Sequence, residues 1–473
     1  MSNSNKPVIF LTHFFGWTTR NLFQTGIVDR LLEYFEVVVL GSRQAKETLE
    51  RSGYSRKLTF ILIEPGEEPW LWKMLRQAKK KFYTESRQSV TQATFERYRK
   101  SPVYQRLGSI LFKAITRVIP AIRLYQWVEG LDYSLNRDRS LRELFEKYKP
   151  SFVFFSHATH YRDELVLRNA RAMGVPKLFM ILSWDHVATA KILLGNHFDR
   201  ILVWNNHSRE EIIATYPHIS PATVQVVGIP QFDIYAQSPS TDYTGFCAKF
   251  GLDPKKKTIL FSTMPQLRHE QQHIILEELL KWIAAEEQSA LNFQILIKTH
   301  PFDNFKGYRA LLTKYPVALR ETTLPLGVDS MDWVPAPEEI EISRDCLYFC
   351  AININIFSTV TIEAAYFDKP VIHIAFDPLP VQNRVPTREY YNWDHFKHIV
   401  DMDASILVEC YEDLFNAIRA YSSNPELKRQ QRKMLILRYI GRPVGFAVEA
   451  VVNNVREFHG DLAVAAGRNS SGQ

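Results

Sequence analysis

The residues best suited to chemistry lie in one stretch, ININIFSTVTIEAAYFDKPVIHIAFD, at positions 352–377. A β-branched run ends near Phe357, Ser358 and Thr359 follow at a helix start, and the helix runs to about Phe367 before Lys369-Pro370 opens another strand. Two hydroxyls beside the unpaired N–H groups of a helix N-terminus make an anion site of the kind a diphosphate fits. Glu363, one turn on, can accept hydrogen bonds from ribose hydroxyls. The same residues also read as an ordinary Ser/Thr cap followed by an exposed helix glutamate. Upstream, LIKTHP places Lys298 and His300 at the carboxyl end of a strand. A cation and an imidazole there can meet the same phosphates or a leaving-group oxygen. A histidine before proline is equally a turn residue.

The first half of the chain offers bases. His13 stands in THFFGWTTRN, Ser156, His157 and His160 in SHATHYRDE, and Asp185 with His186 in SWDH. Abstracting a proton from an acceptor hydroxyl needs one histidine or carboxylate of suitable pKa. His13, just after the first strand, is the leading choice, with His157 and Asp185 as competitors. Each also reads as a polar residue capping a strand. No GxxxxGKS loop, GxGxxG opening a helix, GxSxG elbow or HExxH occurs, which disfavours P-loop hydrolysis, lipase chemistry and zincin proteolysis. Cys247, Cys346, Cys350 and Cys410 form no CxxC pair, so reduced incidental thiols and no structural metal are expected.

These residues need strands to carry them. PVIFLTHF, EVVVLGS, LTFILIE, FVFFSHA, KLFMILSWD, RILVWNN and VQVVGI recur through the first half, nearly continuous in hydrophobicity, as parallel strands buried on both faces are. A helix from Asp163 to Met173 joins two of them. The alternation lapses from Ala236 to Lys257, which reads as a linker, then resumes with TILFST, FQILIKTH, VALRE, LYFCAININIFS and PVIHIAF, interleaved with helices at Glu270–Glu287 and Tyr411–Tyr421. The fold class expected is α/β, two doubly wound Rossmann-like domains facing a cleft with the carboxyl ends of both sheets toward it. The divisions expected are a first α/β domain over 1–236, a second over 257–430 that carries the diphosphate-type site, a closing helix over 431–460 and a disordered tail over 461–473.

At 473 residues, 46% hydrophobic and 23% charged, the composition is that of a globular chain of several domains, not a disordered or low-complexity one. The net charge of +7 is uneven. Lys73 to Arg123 holds 13 Lys or Arg against Glu85 and Glu96, a local +11 that leaves −4 for the rest. This basic helical insertion, about 70–130, is interleaved with Trp, Tyr, Phe and Leu, a composition shared by helices on anionic bilayers, RNA-binding patches and solvated insertions packed on a sheet. The anionic membrane surface is the partner favoured for 73–123, and no nucleic acid is expected. The start of the chain lacks a signal-peptide h-region, and the longest uncharged stretch, Asp345 to Glu363, is polar and too short to span a bilayer. A cytoplasmic protein, peripheral on the membrane at most, is expected.

The spacing of KTHP, FSTVTIEAAYFDKPVI and FD resembles the C-terminal domain of GT-B-fold enzymes, nearest to UDP-N-acetylglucosamine 2-epimerases and CDP-glycerol glycerophosphotransferase-like polymer synthases. ILSWDHVATAK, RILVWNNHSREEII and VVGIPQFDIY are similar to elements of a bacterial glycosyltransferase-like group, which extends the likeness over about residues 150–455. The resemblance implies that His300, Ser358, Thr359 and Glu363 hold a nucleotide diphosphate. This chain has Phe-Ser-Thr where the epimerases carry SGG, and lacks the TDYSS of the polymer synthases. Those departures favour general glycosyl transfer from a nucleotide-sugar donor to a glycan or lipid-linked acceptor, with no cofactor. The alternatives are a 2-epimerase or glycerophosphotransferase, or a non-catalytic member binding a glycan or membrane.

Overall fold

Thirteen short strands form two parallel sheets in a computed structural model that describes residues 6–54, 58–64, 68–98, 114–135, 138–157, 161–188, 198–265, 268–286, 291–300, 307–315, 319–321, 334–382 and 384–470. The chain divides into two units: residues 1–89, 102–236 and 439–473 make the first, and residues 90–101 and 237–438 the second.

The first unit's sheet has the order β3-β2-β1-β4-β5-β6-β7, built from β1 (Val8–His13), β2 (Glu36–Gly41), β3 (Thr59–Leu62), β4 (Val153–Phe155), β5 (Lys177–Met180), β6 (Arg200–Val203) and β7 (Val224–Val226). The inner positions of its strands are mostly apolar because both faces are covered, except at the edge strand β3, which is exposed at both ends. Phe10, Leu40, Phe155 and Phe179 enter one core, and Ile9, Leu11, Val39, Phe154 and Met180 enter the other. Full burial of each such side chain contributes about 1.5–3 kcal/mol. The chain order reverses between β1 and β4, the switch point outside which ligands bind in such sheets.

The basic insertion differs from its expected placement in one domain. Helices α1 (Trp70–Ser86) and α3 (Ala121–Leu135) pack together in the first unit. Helix α2 (Val90–Tyr98) belongs to the second. The Asp394 carboxylate accepts the N–H groups of Val90 and Thr91 at 3.1 Å each, and Phe95 lies 4.9 Å from the ring of Trp393. Lys79 does not face outward as a lipid-binding lysine would. It is buried, 3.0 Å from Glu164 of α4 (Tyr161–Ala172), which also pairs with Arg168. Arg99 and Lys100 of the same basic run, and His160, lie outside the described residues.

The second unit's sheet has the order β10-β9-β8-β11-β12-β13, from β8 (Lys257–Ser262), β9 (Phe293–Lys298), β10 (Leu319–Glu321), β11 (Ile352–Asn355), β12 (Val371–Ile374) and β13 (Ile406–Val408). The expected linker contains a helix, α5 (Tyr243–Phe250). Asp242 caps its start by accepting the N–H of Gly245 at 2.8 Å, Gly251 ends it with φ 63°, and Phe246 and Cys247 are buried. After α6 (Gln272–Glu286), helix α7 (Pro337–Phe349) takes the LYF that had read as strand. Pro337 at its first turn and Glu339, which accepts the N–H of Ala336 at 3.2 Å, start that helix. Helix α8 (Val360–Tyr366) follows β11, and α9 (Tyr411–Ser423) follows β13.

The closing segment is two helices where one was expected, α10 (Arg429–Tyr439) and α11 (Ala447–Ser470), and the second continues through most of the tail expected to be disordered. Gly441 breaks them at φ 73°, where a Cβ would lie 2.3 Å from the carbonyl oxygen of Trp204. Asp233 caps α11, accepting N–H groups of Gly445, Ala447 and Val448 at 2.8–3.2 Å. No described helix is long and apolar enough to cross a membrane.

Candidate functional site

In the second unit, Ser262 at the end of β8 pairs with Lys298 on β9 and with Asn355 on β11, so these carboxyl ends lie level across the switch point. Lys298 and Asn355 therefore stand about 10 Å apart on either side of β8 by strand spacing, with His300 and Ser358 two and three residues beyond them. The His300 N–H donates to Thr263 Oγ1 at 2.8 Å, and the Thr263 N–H to the Lys298 carbonyl at 3.0 Å, which fixes the THP turn against β8. Burial, then the cations of Lys298 and Arg268, push the His300 imidazole down to about 3. It is a neutral imidazole within reach of two positive charges.

Arg268, absent from the sequence expectations, comes from the β8–α6 loop. Asp377 anchors that loop's surroundings. It accepts Arg384 at 2.7 Å and both the N–H and hydroxyl of Thr387 at 2.8 and 2.6 Å, and His269 Nε2 lies 3.5 Å away. Arg384 and Tyr390 in turn donate to the Arg268 carbonyl, and the Arg268 guanidinium stacks over Trp393 at 5.6 Å.

The Phe-Ser-Thr turn is held by an unusual backbone. Phe357 has φ 47°, a left-handed conformation a bulky side chain adopts only when its surroundings enforce it. Its N–H donates to the Tyr391 hydroxyl at 3.1 Å, which donates on to the Ile374 carbonyl at 2.8 Å, while its ring packs on Phe396 at 4.6 Å and Trp393 at 5.2 Å. Replacing Tyr391 by Phe leaves that N–H unmatched and should cost about 1–3 kcal/mol of stability. A urea titration of the variant beside the parent checks this; coincident midpoints would show that the hydroxyl holds nothing.

The helix start itself departs from expectation. The Val360 N–H donates to Ser358 Oγ at 3.3 Å, and those of Thr361 and Ile362 to the carbonyls of Ser358 and Thr359 at 3.1 and 3.0 Å. The first turn thus satisfies its own N–H groups, so any anion there would meet the Ser358 and Thr359 hydroxyls and the cations across β8. Thr359 is exposed and Glu363 half-buried one turn on. Beneath the turn runs a buried polar chain. Asn353 Nδ2 donates to Ser262 Oγ at 2.9 Å, Asn355 Nδ2 to Asn353 Oδ1 at 2.8 Å, and Thr361 Oγ1 lies 2.8 Å from His373 Nε2.

In the first unit the corresponding edge is formed by the ends of β1 and β4. His13 is fully buried, 2.7 Å from Thr19 Oγ1 through Nε2, and burial pushes its pKa down to about 3. Thr19 opens a π-helical turn, Thr19–Phe23, a feature frequent at functional sites. Thr18 Oγ1, Ser156 Oγ and the Thr12 carbonyl tie this turn to both strands at 2.8 and 3.0 Å. His157 is partly exposed. Its ring lies on Phe15 at 4.2 Å, and its Nδ1 is 3.4 Å from Asp163 Oδ2, a buried carboxyl in the first turn of α4. Asp185 is buried and accepts the Ser183 hydroxyl within its own turn. Of the three bases named from sequence, His157 alone combines a carboxyl partner with access to solvent.

No protein-family model matches the sequence, and no curated protein matches it. Solved structures do. One from Listeria monocytogenes, assigned as a UDP-N-acetylglucosamine 2-epimerase, superposes with a TM-score of 0.55 over 96% of each chain at 11% identity. The Neisseria meningitidis UDP-GlcNAc 2-epimerase, bound to UDP-GlcNAc, gives 0.53 at 12% identity over 95% of this chain and 100% of that one. The chain has the GT-B fold. The Methanocaldococcus jannaschii UDP-GlcNAc 2-epimerase gives 0.50 at 11% identity, over 96% of this chain and 99% of that one. At such identities the likeness is one of fold, and the chemistry of this GT-B chain has to be argued from its own side chains.

Proposed function

We propose that this GT-B chain is a glycosyltransferase that moves a sugar from a nucleotide-sugar donor to a glycan or lipid-linked acceptor. The observation that carries the reading is the cationic edge of the second unit, where Lys298 and Arg268 act on His300 and the Ser358-Thr359 hydroxyls stand across β8. In this mechanism the donor diphosphate meets that edge and Glu363 takes the ribose. The first unit supplies the base. As the acceptor oxygen attacks the anomeric carbon, its proton passes to His157, and the carbon–oxygen bond to the diphosphate breaks with its electron pair on phosphate oxygen. Lys298, Arg268 and neutral His300 stabilise that oxygen, and Asp163 orients His157 and stabilises the imidazolium.

A nucleotide-sugar 2-epimerase is the second reading, favoured by the solved structures of this fold that carry that name. Inverting C2 requires breaking its C–H bond, so an epimerase incorporates solvent deuterium at C2 without an acceptor. A transferase releases nucleoside diphosphate and leaves C2 unlabelled. A thermal-shift screen of UDP, GDP, CDP and CMP sugars selects the donor for that comparison.

The diphosphate assignment has its own check. Lys298→Ala should weaken the best-binding nucleotide by about 1.5–3 kcal/mol, the range for hydrogen bonds to charged groups. The Ser358→Ala, Thr359→Ala double change should cost less, about 1 kcal/mol, because the Ser358 oxygen already serves Val360. Calorimetric titrations unchanged in both variants would place the nucleotide elsewhere.

A further inference from the structure

Helices α1 and α3 turn their partnered residues inward. On α1, Trp72, Arg76, Lys79 and Tyr83 recur at the spacing of one helix face. Arg168 lies over Trp72 at 5.3 Å, Arg76 forms a two-pronged pair with Glu68, Lys79 pairs with Glu164, and the Tyr83 hydroxyl donates to the Val187 carbonyl at 2.8 Å. On α3, Ala121, Tyr125 and Glu129 are buried, with the Tyr125 hydroxyl donating to Glu129 at 2.7 Å. The carboxylates of Glu68 and Glu164 thus meet the inner side of α1.

The outer side is different. Trp70 is 71% exposed, Met74 56%, Trp127 63% and Leu131 51%, and Leu71 is exposed beside them. Seven of the sixteen large apolar side chains exposed among the described residues lie in the first-unit part of residues 70–131, with Ile115 and Val118 completing the set. Exposed apolar groups gathered this way mark a binding surface, whereas single ones need no explanation. The other exposed residues described on α1 and α3 are Lys73, Gln77, Lys80, Arg123, Gln126 and Gly130, without a carboxylate among them.

We propose that the outer faces of α1 and α3 dock on an anionic lipid bilayer, Trp70, Met74, Trp127 and Leu131 entering the headgroup–acyl boundary while Lys73, Lys80 and Arg123 meet lipid phosphates. Charge complementarity selects this occupant: the surface is cationic and apolar together, with tryptophans whose amphipathic rings suit the interfacial layer. The inference is independent of the reaction, since it involves neither sheet edge.

The test uses the full chain with vesicles of phosphatidylcholine alone or mixed with phosphatidylglycerol, at low and high salt. The parent should co-sediment with the anionic vesicles, less so at high salt, and its tryptophan fluorescence should be quenched by brominated acyl chains. Trp70→Ser with Trp127→Ser should lower partitioning on the order of tenfold and remove most of the quenching. Lys73→Glu, Lys80→Glu and Arg123→Glu together should lower it on the order of a hundredfold at low salt. All these positions are exposed, so the variants should keep the parent's circular dichroism and thermal midpoint. Equal recovery with both lipids, unchanged partitioning in both variants, or capture of RNA in preference to vesicles would each overturn the proposal.

Discussion

Acidification from about pH 7.5 to about pH 5.5 should cost the second unit about 4 kcal/mol through His269, His300 and His373 and the first about 1.4 kcal/mol through His13, at roughly 1.4 kcal/mol for each of these histidines. Burial lowers His300 and His373 to about 3 and His269 to about 4 in the second unit, and His13 to about 3 in the first. An unfolded histidine titrates near 6.5. Between that value and the folded one, the unfolded chain binds the proton and the native chain does not, so stability is complete above about 6.5 and falls as the pH drops toward 3. Hydrogen exchange read by mass spectrometry at both pH values reports the units separately. Equal losses, or none, would mean that these imidazoles accept protons in the native state. Saturating nucleotide should lessen the loss, because an anion beside Lys298 and Arg268 favours a protonated His300.

Replacing His157 by Ala should lower turnover at saturating donor by about 10²–10⁴-fold, the usual contribution of a general base, with nucleotide affinity unchanged. His13→Ala, by contrast, acts on a fully buried ring and should be felt as lost stability rather than as a selective loss of turnover. Asp163 is a positioning residue. Asp163→Asn keeps the volume but removes the charge that stabilises the imidazolium, so it should lower turnover at saturating donor with nucleotide affinity and thermal midpoint unchanged, while a merely structural role would move the midpoint. If Asp185→Asn, and not His157→Ala, removes turnover at intact affinity, the base lies in the SWDH turn.

The architecture was legible because a strand covered on both faces is nearly continuous in hydrophobicity: the IFL of β1, the VVVL of β2 and the ILF of β8 stand out from the helices between them without any partner being known. Where burial is partial or the element short, that signal fades. Strand β13, three residues with two only half-buried, was not anticipated, and the LYF end of α7 was read as part of the strand beyond it. Lys298, His300, Ser358 and Thr359 could be placed at strand ends, and Glu363 one turn into the following helix, from local pattern alone. Arg268 could not, since its carbonyl is fixed by Arg384 and Tyr390 more than 100 positions away. Asp163 stands six residues after His157, but only the turn from β4 into α4 brings the two within 3.4 Å. His13 is the converse case. Its position at the end of β1 was evident, but whether a strand-end side chain turns outward or into the π-helical turn depends on packing that local sequence does not encode.

The return of the chain to the first unit after Tyr439 has a consequence for biosynthesis. Val451, Val455 and Phe458 of α11 share a core with Leu11, Leu178 and Leu202, and the Tyr439 carbonyl accepts the Asn205 side chain at 2.7 Å. While the ribosome is still making residues 237–438, this side of the nascent sheet lacks its cover and exposes those leucines. At roughly 5–20 residues per second, that interval lasts on the order of 10–40 s, long enough for chaperones to bind. The half made first is thus the one that finishes last.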